Sequence, residues 1–154
     1  MSNDNDSINI SPENYDETTP PRQFWGMNLN TYCMLMNLIQ ILPGWGWIIA
    51  ILMWIMNKDN SPEINRYGKN VTNWIISFAI FTVVVGMINL FIGIIGAFLA
   101  FMFQAPPFIF IGHLSAFFTF TVLGIIYLAF PITAAVKANN GNFWKYPLSI
   151  QFFK

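Results

Sequence analysis

The chain has 154 residues, of which 55% are hydrophobic and only 9% are charged, whereas about 25% of the residues of a typical soluble domain are charged. Seven acidic and seven basic residues cancel at neutral pH, so the composition gives no sign of a basic surface that binds nucleic acid. The composition therefore excludes an ordinary soluble globular domain and argues against a nucleic-acid partner.

The N-terminal segment differs from the rest of the chain in composition. Residues 1–26 are rich in Asn, Asp, Ser and Pro, and they contain too few apolar groups to offset the entropy of ordering. We predict a disordered acidic polar tail followed by a helical transmembrane domain over residues 27–154. The acids Asp4, Asp6 and Glu13 lack the fixed turn chemistry of a calcium-binding loop, and an acidic start argues against a cleavable export signal.

Two long stretches lack Asp, Glu, Lys and Arg altogether. The first stretch has 35 residues, between Arg22 and Lys58, and the second has 67 residues, between Lys69 and Lys137. A membrane-spanning helix needs about 20 apolar residues, so these stretches have room for several spans. We therefore predict an all-α integral membrane protein with the lipid bilayer as its first partner.

The first apolar block, residues 29–56, is interrupted by Pro43 and Gly44, a pair that favours a turn. Each arm is only about 20 Å long as a helix, which is short of a hydrocarbon core of about 30 Å. The residues leave two alternatives open. A hairpin turning at Pro43 and Gly44 gives a four-helix transmembrane bundle with a short broken first hairpin and two long spans, and a single kinked crossing gives three spans.

The stretch from 58 to 73 is the most polar internal part of the chain, and we predict that it is an interfacial linker. Ser61, Pro62 and Glu63 have the order of an N-cap, a first-turn proline and an acid at the positive end of a helix, so a helix should begin there. Tyr67 and Trp74 suit the headgroup zone. The predicted linker residues are Lys58, Asp59, Ser61, Pro62, Glu63, Arg66 and Lys69.

Residues 74–103 and 113–136 are predicted to be the two long spans. The first would be about 45 Å long as a helix, so it must tilt or project beyond the bilayer. Small residues four apart allow a second helix to approach, either within the chain or in a subunit interface, and Asn89 should hydrogen bond to a neighbouring helix. The predicted helix-packing residues are Gly86, Asn89, Gly93, Gly96, Ala97 and Ala100.

The remaining segments should connect the spans and end the domain. We expect residues 104–112 to join the two spans, Pro131 to kink the second span, and Gly141 to follow its end. The segment 138–154 is then predicted to lie on the membrane surface. Its aromatic and cationic residues suit lipid headgroups, and they are Trp144, Lys145, Tyr146 and Pro147.

The distribution of basic residues predicts the orientation. Two spans place residues 58–69 and 137–154 on one side, with three Lys or Arg residues in each, and leave the uncharged residues 104–112 on the other. Because basic segments favour the cytoplasmic side, we predict a multi-pass protein of the cell membrane with a cytoplasmic C-terminus.

Candidate catalytic and metal-binding residues are isolated from one another in the sequence. His113 is the only histidine, and a metal site would need distant acids to complete it. Ser77 and Ser115 have no evident base nearby, and Cys33 lies in an apolar run that favours an inert buried thiol. We therefore predict that the protein is not an enzyme and has no cofactor.

Several motifs occur in a familiar order along residues 27–154. They are residues 27–36, the Pro43-Gly44 break, residues 54–59 with Ser61-Pro62-Glu63, residues 68–70 with Asn73-Trp74, and residues 138–141 with residues 144–148. In this order they resemble a family of small bacterial membrane proteins catalogued as a domain of unknown function, the Tic-twenty-like group, which is distantly similar to a chloroplast inner-envelope protein-import subunit. The resemblance implies a four-helix membrane domain with both ends in the cytoplasm, and it implies no known reaction.

Two functions from different classes remain open at this stage. The first is a structural or interaction subunit of a membrane assembly or translocation-associated complex, with a second copy or another membrane protein as partner. The second is a small transporter or oligomeric channel for a neutral solute, with a polar path lined by Asn37, Gln40, Asn73 and Asn89. Ion pathways usually contain ionisable residues inside the membrane, and the predicted spans lack charged residues, so we favour the first function.

Overall fold

The computed structural model describes residues 24–105 and 107–153 of the chain. The described part is all-helical, with four helices in the order α1 (Leu29–Ile39), α2 (Gly46–Asn57), α3 (Pro62–Phe103) and α4 (Pro107–Asn139). By length and composition, α3 and α4 could each cross a membrane, whereas α1 and α2 are shorter apolar helices. Residues 1–23 of the predicted tail lie outside the described residues, and Phe24, which falls within the predicted tail, is buried.

The first apolar block forms a hairpin of two separate helices. The hydroxyl of Tyr32 on α1 donates to the carbonyl of Met53 on α2 at 2.8 Å and accepts from the amide of Asn57 at 2.8 Å. The start of α1 therefore lies beside the end of α2. Pro43 and Gly44 lie in the turn between the two helices, and Gly44 has a φ of +83°, which favours glycine. This is the hairpin of the two alternatives, and not a single kinked helix.

The third element is one continuous helix of 42 residues. Ser61 caps it by accepting from the backbone N–H of Ile64 at 3.4 Å, and Pro62 and Glu63 occupy its first turn, as their order in the sequence predicts. The predicted linker helix and the predicted first span are thus a single element. At about 1.5 Å per residue it is about 63 Å long, twice the thickness of a hydrocarbon core.

The connection to α4 is shorter than residues 104–112. Gln104 ends α3 in the left-handed conformation, with φ of +49°, and α4 begins at Pro107. Proline suits the first turn of a helix because its φ is already helical and its missing N–H would have no partner there. The helix continues through Pro131 to Asn139, and Gly141 follows with φ of +73°.

The four helices pack together at one end of the molecule only. α1 lies against α4, α2 lies against α3, and the hydroxyl of Tyr127 on α4 donates to the carbonyl of Gln40 beside the turn of the first hairpin. We call this packed end the base: α1, α2, residues 62–78, residues 127–139 and the C-terminal residues 140–153. Beyond it, residues 79–103 and 107–126 form a bare hairpin. None of the most apolar stretch of α3 is buried within the molecule.

Candidate functional site

The C-terminal segment, residues 140–153, returns from the end of α4 and packs across the base. Tyr146 is its most buried residue, with 1% of its surface exposed. The Tyr146 hydroxyl donates to Oδ1 of Asn37 at 2.7 Å and accepts from Nε2 of Gln40 at 2.8 Å. Asn37 in turn donates from Nδ2 to the carbonyl of Cys33 at 2.7 Å. The segment is thus tied to α1 by a buried hydrogen-bond network.

Three polar side chains on one face of α3 hold the backbone of this segment. Asn70, Asn73 and Ser77 occur at intervals of three and four residues, so they share a helix face. Their side chains bond to the backbone of residues 144–146 and 150–153 at distances of 2.8–3.4 Å. A side-chain amide offers both a donor and an acceptor, so each asparagine satisfies an N–H and a C=O of an extended chain.

Aromatic rings fill the space beneath the segment. The Tyr146 ring stacks on Trp74 with centroids 5.1 Å apart and an interplanar angle of 8°, and the Phe130 ring lies 5.2 Å from Trp74. Burial raises the pKa of the Tyr146 hydroxyl because the phenolate would lose its hydration, and the hydrogen bond from Gln40 opposes this only partly. Tyr146 is therefore a neutral hydroxyl at physiological pH, able to donate and accept at once.

Three aromatic residues that we predicted for the headgroup zone lie inside the protein instead. Tyr67, Trp74 and Tyr146 are 7%, 1% and 1% exposed. The C-terminal segment folds back over them, and its partners on α1 lie 106 and 109 residues away in the sequence, so no local pattern indicates the contact. The other members of the predicted C-terminal cluster are half-buried or exposed, and they are Trp144, Lys145 and Pro147.

The predicted linker residues lie between the end of α2 and the first turns of α3. Ser61 is buried, and its hydroxyl donates to Oε2 of Glu63 at 2.8 Å. The Arg66 guanidinium lies 3.8 Å from the centroid of the Phe143 ring, so a cation–π contact joins α3 to the C-terminal segment. Lys69 is half-buried, and the exposed members are Lys58, Asp59, Pro62, Glu63 and Arg66.

The predicted helix-packing residues lie partly where α3 and α4 approach closely. A Cβ atom on Gly96 would be 2.8 Å from the carbonyl oxygen of Phe108, and Ala100, one turn further, is 8% exposed. A Cβ atom on Gly112 would be 2.9 Å from the Cα of Gly93. The two helices of the bare hairpin therefore meet through small residues of the same chain.

The other three predicted packing residues are placed differently. A Cβ atom on Gly86 would have no heavy atom within 4 Å, and Ala97 is exposed. Asn89 donates to the carbonyl of Val85 at 2.9 Å and accepts from the hydroxyl of Ser115 on α4 at 3.2 Å. The Asn89 amide therefore has the interhelical partner that an apolar environment demands.

The close approach at Gly96 predicts the effect of a substitution. Gly96→Leu should destabilise the protein by about 1 to 3 kcal/mol, because its side chain would overlap the α4 backbone, and should lower the melting temperature in detergent. Gly86→Leu is the matched control, since a Cβ there enters open space. Equal melting temperatures for both variants and the parent would show that α3 and α4 do not pack at Gly96.

Two glycines outside the predicted set make still closer approaches within the base. A Cβ atom on Gly68 would overlap the Trp54 side chain, and one on Gly46 would overlap the carbonyl oxygen of Ile39. The signal that could have identified Gly68 is a glycine in the middle of a helical stretch, where it costs about 1 kcal/mol relative to alanine and usually has a packing reason.

The four amides assigned to a polar path by the transporter hypothesis are used for packing. Asn37 and Gln40 bond to Tyr146, and Asn73 holds the C-terminal backbone. Asn89 lies in the bare hairpin, bonded to α4. Each amide thus has at least one hydrogen-bond partner within the chain, and the buried Oε1 of Gln40 has none.

The remaining candidates for chemistry are dispersed. Within residues 24–105 and 107–153, no three His, Cys, Asp or Glu side chains come together in a group that could hold a metal ion. Cys33 is a buried free thiol in the core of the base, and His113 lies in the bare hairpin. Ser77 and Ser115 both take part in the packing hydrogen bonds described above.

Comparison with known proteins decides the family. The model of the Magnetosome magnetite crystal formation protein family matches residues 28–153. The chain belongs to this family. The match covers all four helices and the C-terminal segment down to Phe153, including every residue of the network around Tyr146. Searches of curated proteins and of solved structures gave no match.

The family match corrects the resemblance to the Tic-twenty-like group, which was wrong. The motifs on which it rested lie almost entirely within the matched residues 28–153, and the family model that matches them is the magnetosome one. The motifs are capping, turn and interface residues, such as Ser61-Pro62-Glu63 and Pro43-Gly44, and such residues are common at helix ends and turns in general. Their order therefore indicates an architecture and does not distinguish between families.

Proposed function

We infer that this protein is a multi-pass integral membrane protein whose bare hairpin crosses the bilayer. The observation that carries this proposal is the exposed apolar surface of α3 beyond the base, which runs from Ile80 to Phe103. These 24 residues are about 36 Å long as a helix, enough for a hydrocarbon core of about 30 Å. The described residues of α4 beyond the base expose a matching apolar surface from Phe110 to Ile125.

The α1–α2 hairpin completes the four-helix bundle from one side of the membrane. Its arms of 11 and 12 residues are about 17 Å long, too short to cross alone. Trp45 and Trp47 lie at its tip, 73% and 46% exposed. Because indole rings favour the membrane interface, we place this tip at the cytoplasmic boundary, with the base and both ends of the domain in the cytoplasm.

Within this architecture, the protein acts as a structural or interaction subunit of a membrane assembly. Its polar side chains support this role, because Asn37, Asn70 and Asn73 fix one chain segment against another. Membership of the Magnetosome magnetite crystal formation protein family supports a role in a magnetosome membrane assembly. The proposal includes no catalytic step. The Ser77 hydroxyl accepts a hydrogen bond from the backbone N–H of Ile150, which is a structural role.

Photocrosslinking in intact cells tests the assembly. A photoreactive phenylalanine analogue would replace, one at a time, exposed phenylalanines of the bare hairpin: Phe91, Phe98, Phe101, Phe110 and Phe117. We expect positions on one face to give a discrete protein adduct, whose mass identifies a second copy or another subunit, while the other face reacts with lipid. Lipid adducts alone at all five positions would contradict a subunit role and favour a protein that acts by itself.

Cysteine labelling tests the orientation. In a Cys33→Ser background, single cysteines at Lys69, Lys145 and Pro107 would be treated with an impermeant maleimide in intact cells. Only position 107 should react before lysis, because the basic residues of the base favour the cytoplasm. After lysis the exposed position 145 should also react. Labelling at 145 in intact cells would reverse the orientation.

A further inference from the structure

A cavity opens on the base between the first turns of α3 and the C-terminal segment. Its volume is about 290 Å³, near the lower end of the usual range of ligand pockets, about 300–1,000 Å³. Arg66 and Lys69 line it from α3, and Lys145 and Gln151 line it from the C-terminal segment. Two phenylalanine rings, Phe143 and Phe153, complete its wall.

The cavity is strongly cationic for a protein with no net charge. Three of the seven Lys and Arg residues of the chain line it, and none of its eight lining residues in the described part of the chain is acidic. Arg66 lies over the Phe143 ring, 3.8 Å from its centroid, so this contact limits the directions in which its guanidinium can point. Several cations around one concave site with amide donors favour an anion with several acceptor oxygens.

Two asparagines on α3 fix the shape of the cavity. Asn70 holds the backbone beside Lys145, and Asn73 holds the backbone of Phe152 and Phe153, each through hydrogen bonds of 2.9–3.4 Å. Both asparagines also line the cavity. The two limbs of the C-terminal segment that carry Lys145 and Gln151 are therefore held apart at a set distance, so the site is formed before a ligand arrives.

The position of the cavity suits a ligand at a membrane surface. Asn73 precedes Ile80, where the exposed apolar surface of α3 begins, by seven residues, about 10 Å along the helix. Exposed apolar side chains, Ile150 at 45% and Phe152 at 49%, lie on the C-terminal limb next to it. Basic cavities on the cytoplasmic side of membrane proteins bind anionic lipid headgroups.

We propose that this cavity binds a phosphate group, carried by an anionic lipid headgroup or present as a free phosphate anion. Arg66 and Lys145 supply the charge and Gln151 supplies an amide at the rim. The site goes beyond the role in membrane assembly, since a phosphate could bind here whether or not the protein has a partner.

Binding can be measured on the full chain in dodecyl maltoside. Native mass spectrometry would follow the retention of dioctanoyl phosphatidylglycerol and, as the zwitterionic comparison with zero net charge, dioctanoyl phosphatidylcholine. Thermal shift in increasing inorganic phosphate, with chloride as control, would test the free anion. Saturable 1:1 retention of phosphatidylglycerol alone identifies a headgroup site, and a phosphate-dependent rise in melting temperature identifies a general phosphate site. Either result supports the proposal.

Two sets of variants test the site itself. Arg66→Gln with Lys145→Gln should weaken binding about 25-fold, because each cation near an anionic surface contributes about fivefold. Lys58→Gln with Lys137→Gln removes the same charge from exposed positions outside the lining residues and should leave binding within about twofold. Gln151→Glu is nearly isosteric and places an acid at the exposed rim, so it should weaken binding even if the double variant is unstable. Equal binding by the parent, Arg66→Gln with Lys145→Gln, and Gln151→Glu would overturn the proposal, as would no binding of either probe to the parent.

Discussion

Replacing Tyr146 by alanine should lower the melting temperature of the detergent-solubilised protein more than any other single substitution in the C-terminal segment. The ring is 1% exposed and stacks on Trp74, and truncation of a buried aromatic side chain costs about 3 to 5 kcal/mol. It also removes the hydroxyl that donates to Oδ1 of Asn37. Thermal unfolding followed by tryptophan fluorescence would report the change directly, because Trp74 lies against the lost ring.

Tyr146→Phe separates the hydroxyl from the ring. It keeps the stacking on Trp74, leaves Oδ1 of Asn37 without its donor and removes one of the two acceptors of Gln40 Nε2, so we expect a loss of about 1 to 3 kcal/mol. Leu148→Ala is the control in the same segment, since Leu148 is 64% exposed, and it should change stability by less than about 0.5 kcal/mol. Equal melting temperatures for Tyr146→Ala and Leu148→Ala would show that the C-terminal segment does not pack on the base.

Gly68→Ala should destabilise the base although alanine is the better helix former. A Cβ at position 68 would lie 2.6 Å from the Cβ of Trp54 and overlap its ring, and the indole is held by a hydrogen bond from Nε1 to Oδ1 of Asn65 at 3.0 Å. The gain from helix propensity is about 1 kcal/mol. Overpacking costs about 1 to 3 kcal/mol, occasionally more. Because the overlap involves the stem of Trp54 as well as its ring, we expect a net loss of about 2 kcal/mol.

A double-mutant cycle assigns this loss to the pair. Trp54→Ala removes the ring but keeps the Cβ that would lie 2.6 Å from a Cβ at position 68, so Gly68→Ala should cost less in that background than in the parent, and the difference is the coupling with the ring. Gly86→Ala is the matched helical control, because a Cβ there meets no heavy atom within 4 Å, and it should keep or raise stability. Additive effects of Gly68→Ala and Trp54→Ala would show that α2 and α3 are not in contact at this point.

Local signals in the sequence predicted the helices well. Ser61, Pro62 and Glu63 marked the start of α3 because a cap, a fixed φ and an acid at the dipole act within one turn. Pro43 and Gly44 indicated a break in the first apolar block, but they left open whether that break was a hairpin turn or a kink. The start of α4 was predicted six residues late, at His113 instead of Pro107, because two prolines in sequence indicate the end of one helix and the start of another equally well.

Long-range contacts could not be predicted from these patterns. Tyr146 and Trp74 are residue types that favour the headgroup zone. Only the fold shows that side-chain amides of α1 and α3 form hydrogen bonds with the C-terminal segment. The cationic cavity also depends on a long-range contact, because Arg66 and Lys145 are 79 positions apart in the chain. Each residue by itself indicates only a basic side chain near the membrane interface. Hydropathy describes how a segment partitions between water and lipid, and it carries no information about which segments meet.

The hydrogen bond between Gln40 and Tyr146 joins residues 106 positions apart. This separation determines the order in which parts of the protein can fold during synthesis. The chain emerges from the ribosome with its N-terminal end first, so α1 is complete long before Tyr146 is made. Until then the amides of Asn37 and Gln40, which are fully buried in the final fold, must stay hydrated or be held by another protein. The first hairpin therefore docks onto α3 and α4 only after both have been synthesised, and the hydrogen-bond network of α1 is complete only when Tyr146 has been added.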